Sequence, residues 1–284
     1  ALPISSLAPV MATFMATTIL SSPPLGATTV LSAILGDVRS VYVIGDVHGM
    51  LEPLQALMEE IRTDAARREV DPYTVFVGDL VDRGVDSAGV VRYVRSLVEA
   101  GQGACVLGNH DEMFLQSLAM NRPDLLGAEA LPLVDASAEA MLNHWLSQGG
   151  VETIRSYRGD PNLPPTWQFP PGDVEFIASL PLYWEDEAVV VTHALPSREA
   201  LRAAREQGAD SDPRIRQELL WRRQEPPEPP DPDRLHVSGH TPLRNPVLHQ
   251  AINAIQLDTG CVFGLLLCAY AVETGQLFSV PCSK

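Results

Sequence analysis

Six polar residues stand where packing alone would not place them. Asp46 and His48 in "VYVIGDVHGM", Asp79 in "TVFVGDLVDRG", Asn109 in "ACVLGNHDEM", His193 in "AVVVTHALP" and His240 in "LHVSGHTPL" each close a short apolar run. Three offer oxygen, three offer imidazole nitrogen, and none offers a thiolate. Mixed oxygen and nitrogen ligation suits Mn²⁺, Fe²⁺ or Zn²⁺. Such a set exceeds what one catalytic ion uses while keeping a position open. It suffices for two ions if one carboxylate bridges them. Two ions about 3.5–4 Å apart can share a hydroxide and drive in-line displacement at phosphorus. Taken singly, Asp46 or Asp79 reads as a helix N-cap, Asn109 as a turn former and His193 as a satisfied core histidine. Only their conjunction points to chemistry.

The elements that must position them follow from periodicity. Apolar runs at Val41–Ile44, Val75–Val77 and Cys105–Leu107, and those before Thr192-His193 and Gly239-His240, read as five buried strands with ligands at their carboxyl ends. Glycine precedes the polar residue in four of them, at Gly45, Gly78, Gly108 and Gly239. Leu51, Leu54, Leu57, Met58 and Ile61 recur at helical spacing, as do Val90, Val91, Val94, Leu97 and Val98. Strand–helix–strand alternation implies parallel neighbours, whose carboxyl ends open on one crevice. "LPLYWEDEAVVVTH" reads as a hairpin turning at Glu185–Glu187, so the second half is expected to be mixed or antiparallel. The expected fold class is α/β (α+β by some schemes): two packed mixed β-sheets flanked by helices. "SREALRAAREQ" reads as a short charged helix, "EPPEPPDPD" as a stiff surface loop and "IRTDAARRE" as a solvated helix face. His144, His236 and His249 read as structural or solvent-facing, and Trp145, Trp167 and Trp184 as core or loop anchors. Asp258 in "LDTG" is expected to tie a loop beneath the site.

Composition narrows the partners. A formal net charge of −16 argues against nucleic acid or an anionic membrane, which require basic surface. A hydrophobic fraction of 45% suffices for a sizeable core. Cys105, Cys261, Cys268 and Cys282 show no CxxC pairing, and all four are expected to be reduced and structural. Residues 1–40 carry no charge before Asp37 and read as an apolar N-terminal extension, with 41–284 as the catalytic domain. The extension lacks the basic start of a signal peptide, and Pro23-Pro24 and Gly26 interrupt it. Met11 reads as a natural start after ten leader residues; the stretch is either a cloning-derived or poorly conserved extension, or an apolar arm that docks on its own domain or on a partner subunit. A cytoplasmic location is expected.

"GDVHG", "GDLVDRG" and "GNHD", followed by "VTHA" and "SGHTP", resemble the metallophosphoesterase superfamily. Within it they resemble the PPP-type serine/threonine phosphatases, in their bacterial and phage lambda-like branch. "WLSQGGVETIRSY", "LLWRR" and "LDTGCVFG" extend the likeness from about Val41 to the end. The resemblance implies a calcineurin-like fold and two divalent metals, Mn²⁺ first, with Fe or Zn as alternatives. Asp46 and His48 would hold the first metal, Asp79 would bridge, and Asn109, His193 and His240 would hold the second. His110 would protonate the leaving oxygen, oriented by Asp82, which would keep it protonated near neutral pH. Arg83 would grip phosphoryl oxygens, together with a second arginine for which the spacing from Trp221 favours Arg223 over Arg222.

The implied activity is hydrolysis of phosphoserine, phosphothreonine and small aryl phosphates by attack of a hydroxide shared between the metals. Phosphorylated proteins or small phosphomonoesters would be the partners. The alternative is diadenosine tetraphosphate hydrolysis. That family shares "GDVHG", "GDLV", "GNHD" and "LDTGC", and Asp111 and Cys261 lean its way. It typically has alanine at the place of Asp82 and "HAG" where this chain has His193-Ala194-Leu195. Asp82 and "SGHTP" favour the phosphatase. A catalytically dead binding module would need a broken ligand, and none is broken.

Overall fold

The computed structural model describes residues 39–126 and 137–283. The extension expected over 1–40 lies outside them, except for Arg39 and Ser40. Ten strands among the described residues form two five-stranded sheets. In chain order they are β1 Arg39–Ile44, β2 Asp71–Phe76, β3 Gly103–Cys105, β4 Tyr183–Glu185, β5 Val189–Thr192, β6 Leu235–Ser238, β7 Val247–His249, β8 Ala254–Gln256, β9 Leu266–Ala271 and β10 Gln276–Pro281. The first sheet is ordered β10-β9-β1-β2-β3 and the second β4-β5-β6-β8-β7. β1, β2 and β3 are parallel, with Val43 opposite Val75 and Phe76 opposite Cys105. β5, β6 and β8 are also parallel, and β4 and β7 run antiparallel at the two edges. Both sheets are therefore mixed. The hairpin turns where expected, because the Asp186 carboxylate accepts from the N–H groups of Ala188 and Val189, each at 2.9 Å.

Alternation along the strands explains the layers. Val41, Val43, Val75, Val77, Val106, Val189, Val191 and Val237 form one buried cluster drawn from both sheets. The residues between them, such as Tyr42, Ile44 and Phe76, face outward into a second cluster shared with the helices. Those helices are α1 Leu51–Arg68, α2 Ser87–Glu99, α3 Asn109–Asn121, α4 Ala138–Trp145, α5 Val151–Ser156, α6 Pro171–Ala178, α7 Arg198–Gln207 and α8 Pro213–Trp221. α1 and α2 bury the apolar stripes read from the sequence, Leu54, Leu57, Met58 and Ile61 on one and Val90, Val91 and Val94 on the other. The carboxyl ends of β1, β2, β3, β5 and β6 converge on one edge of the sandwich. Among the described residues no helix is long and apolar enough to cross a membrane.

Two expectations need correction. The "IRTDAARRE" stretch is not a wholly solvated face. Asp64 is buried, accepting from Tyr42 Oη at 2.8 Å and pairing with Arg67 and Arg68. Its carboxylate satisfies the tyrosine hydroxyl that β1 buries beneath α1. Nor are all four cysteines reduced: Cys261 and Cys282 form a disulfide, while Cys105 and Cys268 are free and buried. The β9–β10 hairpin pairs Leu266 with Pro281 and sets Cys282 beside Leu265, and the tight turn over Cys261–Phe263 folds Cys261 back to meet it. Closing a loop of 21 residues is worth about 3 kcal/mol on the chain-entropy account. A thiol reagent should thus find essentially no accessible thiol in the native protein. It should find two after denaturation and four after denaturation with reduction. Four thiols without a reductant would contradict the pairing.

Candidate active site

The glycines before the strand-tip ligands allow backbones to meet carboxylates. A Cβ on Gly108 would strike the Asp79 backbone and carboxylate, and one on Gly239 would strike the Asp46 carboxylate. Loops this tight force unusual dihedrals. Eight non-glycine residues among those described have positive φ, and five of them lie here: His48 (44°), Asp79 (51°), Asp82 (73°), Arg83 (68°) and His240 (71°). Such strain gathers at functional sites when the surroundings over-determine it.

All six strand-tip residues are buried and adjacent. The Asp46 carboxylate accepts from His240 N–H at 3.0 and 3.2 Å, so the tip of β1 is tied to the tip of β6 and caps no helix. Asp79 Oδ1 accepts from His110 N–H at 2.9 Å, and Asp79 Oδ2 lies 3.3 Å from His48 Nε2. Asp79 belongs to both clusters able to hold an ion, one with His48 and His110 and one with Asp46 and His193. A single carboxylate shared by two clusters is the bridging geometry that two ions require.

Hydrogen bonding decides which imidazole nitrogens are free. His48 Nδ1 lies 2.8 Å from Val81 O and His193 Nδ1 lies 2.8 Å from Val77 O. Each must donate there, which leaves Nε2 as an acceptor. His193 Nε2 then faces Asn109 Oδ1 at 2.8 Å and Asp79 Oδ1 at 3.5 Å, acceptor against acceptor. His240 Nδ1 completes the ring, 2.9 Å from Asn109 Oδ1 and 3.2 Å from His193 Nε2, and His240 Nε2 is buried without a partner. Protonation offers little relief. Burial pushes both His193 and His240 down to about 3, and pushes His48 well below the ordinary imidazole range. Burial raises Asp46 well above the usual carboxylate range, with Asp258 and Asp79 adding to the rise. Neutral imidazoles and crowded carboxylates converging on one point fit divalent cations.

The other sequence-derived candidates lie alongside. His110 Nδ1 is 2.8 Å from Asp82 Oδ2. Arg83 forks onto two imidazoles, with Nη1 2.7 Å from His48 Nε2 and Nη2 2.8 Å from His110 Nε2. Because guanidinium only donates, the His110 proton sits on Nδ1, toward Asp82. The expectation that His110 stays protonated near neutral pH is corrected. Burial, opposed by Asp79 and helped by Arg83, His144 and Arg223, pushes it down to about 4. The two adjacent arginines are placed differently. Arg222 is committed to Glu218 at 2.7 and 2.8 Å, whereas the charge of Arg223 bears on His110, His240 and Asp258. α8 delivers Arg223 because the Trp221 indole donates to Glu112 on α3 at 2.8 Å and Arg216 pairs with the same carboxylate.

Several supporting residues escaped the sequence reading. Trp145 is more than a core anchor: its Nε1 donates to both oxygens of Asp82, at 2.9 and 3.1 Å. Thr153 Oγ1 donates to Asp82 Oδ1 at 2.7 Å. Asp111 stands where the phosphatases usually carry glutamate. It accepts from Gly108, Leu80 and Val81 N–H at 3.0, 3.0 and 3.3 Å and so braces the second and third strand tips. Asp258, expected to tie a loop, proves to be a third strand-tip carboxylate, at a sixth strand tip just beyond β8, and burial raises it to about 6. "AIQLDTG" carries the same apolar-to-aspartate step as the others and was the available sequence signal.

Residues 39–261 match the calcineurin-like phosphoesterase family. The chain belongs to it. Among its relatives is a symmetrical bis(5'-nucleosyl)-tetraphosphatase from Cellvibrio japonicus, 27% identical over 288 residues, covering 86% of this chain and 99% of the relative. One of the same name from Pseudomonas syringae pv. tomato is 37% identical over 124 residues, 44% of this chain and 38% of the relative. A solved structure described provisionally as a diadenosine tetraphosphatase superposes with a TM-score of 0.54 at 22% identity, covering 87% of this chain and 98% of that one. The likeness to that structure confirms the fold.

Asp79→Asn keeps the shape of the bridge and removes its charge. Elemental analysis of the Mn²⁺-loaded protein should give about two ions per chain before the change and fewer than one after it. Two ions retained by the variant would exclude a bridging Asp79.

Proposed function

We propose that this calcineurin-like phosphoesterase hydrolyses the phosphoanhydride of bis(5'-nucleosyl) tetraphosphates, splitting the central bond with water to give two nucleoside diphosphates. The supporting observation is the likeness to symmetrical tetraphosphatases across almost their whole length, 99% of one and 93% of another. It reverses the preference read from the sequence, where Asp82 favoured the phosphoprotein phosphatase. In this reading residues 41–284 form the catalytic domain, and 1–40 are an extension to it.

Asp46, His48 and Asp79 would hold one cation and Asp79, Asn109, His193 and His240 the other, with Mn²⁺ the first choice. When bound, the pair supplies Lewis acidity at the phosphoryl oxygens and lowers the pKa of water. The chain's own residues do the rest. Arg83 already presents a planar fork of two N–H groups, the pattern that two phosphoryl oxygens accept. Arg223 adds a second positive charge that bears on His110 and His240. Asp82 holds the His110 ring by Nδ1, which leaves Nε2 facing the reacting centre, where it would deliver a proton to the leaving oxygen only from the doubly protonated ring.

The same Asp82–His110 pair favours a second reading, phosphomonoester hydrolysis. A serine alkoxide is a poor leaving group and needs a positioned proton, whereas a departing nucleoside diphosphate needs far less. The two readings separate in one experiment. With Mn²⁺ present, diadenosine tetraphosphate should show a higher kcat/KM than a phosphoserine peptide or 4-nitrophenyl phosphate. Asp82→Ala should lower peptide turnover by roughly 10²-fold or more and anhydride cleavage by much less. A wild type that prefers the phosphopeptide would restore the monoester reading.

A further inference from the structure

Beside Arg83 opens a cleft of about 810 Å³, within the roughly 300–1,000 Å³ that small-molecule sites occupy. Its walls are mostly apolar, formed by Val85, Leu146, Val262 and Phe263, with Gln148 and Glu152 as polar groups. Val85 is 85% exposed and Phe263 50%. Such apolar exposure in one cleft is costly unless something covers it.

Phe263 is not exposed by looseness. It ends a single tight turn, Cys261–Phe263, that starts from Gly260 and stops at Gly264, both at positive φ. Phe263 N–H donates to Gly260 O at 2.9 Å and Gly264 N–H to Cys261 O at 2.8 Å. The Cys261–Cys282 disulfide ties the turn to the chain beyond β10, where Cys282 N–H donates to Leu265 O at 2.8 Å. The ring centroid lies 5.5 Å from the Arg83 guanidinium carbon, and that guanidinium reaches both His48 and His110. A rigid aromatic ring thus stands one guanidinium away from the reacting centre.

We propose that Phe263 is the stacking platform for one nucleobase of the substrate. In this arrangement the cleft holds the nucleoside, while Gln148 and Glu152 offer an amide and a carboxylate to base edges or ribose hydroxyls. The inference rests on the tetraphosphatase reading and deepens it. Every base has a π-face, so stacking on Phe263 tolerates different nucleosides and gives affinity more than base selectivity.

The test compares an anhydride that carries bases with one that carries none. The measured quantity is kcat/KM for diadenosine tetraphosphate divided by kcat/KM for inorganic tripolyphosphate, in the full-length Mn²⁺-loaded enzyme. Phe263→Ala should lower this ratio roughly ten-fold or more, through KM, and Phe263→Trp should restore it. Calorimetry with ADP and with pyrophosphate should show the same dependence on the ring, independently of turnover. A wild type that cleaves diadenosine tetraphosphate while Phe263→Ala leaves the ratio unchanged overturns the platform alone. Binding ADP no more tightly than pyrophosphate does so too. A wild type that fails to cleave diadenosine tetraphosphate overturns the tetraphosphatase reading and the platform together.

Discussion

The structure depends on how closely three backbones must approach one carboxylate. Asp79 sits at positive φ just past β2, its carbonyl accepting from His48 N–H at 2.8 Å and its side chain from His110 N–H at 2.9 Å. Both neighbouring strand tips therefore end in a hydrogen bond to the same residue. Only glycine at 108 permits the third strand to come this near. The rest of the site follows from that junction, because the tips that meet at Asp79 are those that carry His48, Asn109 and His110.

A junction of this kind is costly. Buried carboxylates beside neutral imidazoles have no counter-charge among the six ligand side chains, and burying ionised groups is unfavourable unless something compensates. The protein spreads the compensation over its surroundings. Asp111 collects N–H groups from both flanking tips, and the Asp46 carboxylate collects one from the opposite sheet. Burial raises Asp111 to about 8 and Asp46 well above the usual range, and hydrogen bonds to such groups are worth about 0.5–1.5 kcal/mol each. The remaining deficit is a cluster of acceptors facing one another, which fits the centre to cations better than to a polar core. Folding and metal binding are linked for the same reason, since an ion bound only by the native state stabilises it by mass action.

Much of this was legible in the sequence because strand-tip chemistry is local. An apolar run, a glycine and a ligand occupy consecutive positions, so β1, β2, β3, β5 and β6 announced themselves with their cargo. What failed was non-local. Trp145 and Thr153 reach Asp82 across 63 and 71 residues, and nothing in their own neighbourhoods marks them as its partners. Cys261 and Cys282 have no motif spacing, and it takes the β9–β10 hairpin together with the turn at Cys261–Phe263 to make them neighbours. Asp64 looked solvated because its helix is rich in charge, yet a tyrosine hydroxyl beneath it needed an acceptor. His110 went wrong electrostatically. A carboxylate partner suggested a raised proton affinity, but burial was the larger effect.

Strand tips settle the chemistry at phosphorus and leave its setting open, because any phosphoester presents the same oxygens to them. Selectivity must come from what adjoins Arg83. On one side Asp82, held by Trp145 and Thr153, fixes the ring of His110; on the other lie Phe263 and the apolar cleft. The two sides are mechanically joined, since Arg83 N–H donates to Gly149 O at 3.1 Å and Gly149 lines the cleft between α4, which carries Trp145, and α5, which carries Thr153. The segment that shapes the cleft is thus the one that holds Asp82, the partner of His110, and the backbone of Arg83. On the proposed reading a change in that wall would alter binding and proton delivery at once. Substrate preference would then be a property of residues 145–153 and 260–264 as much as of the ligands themselves.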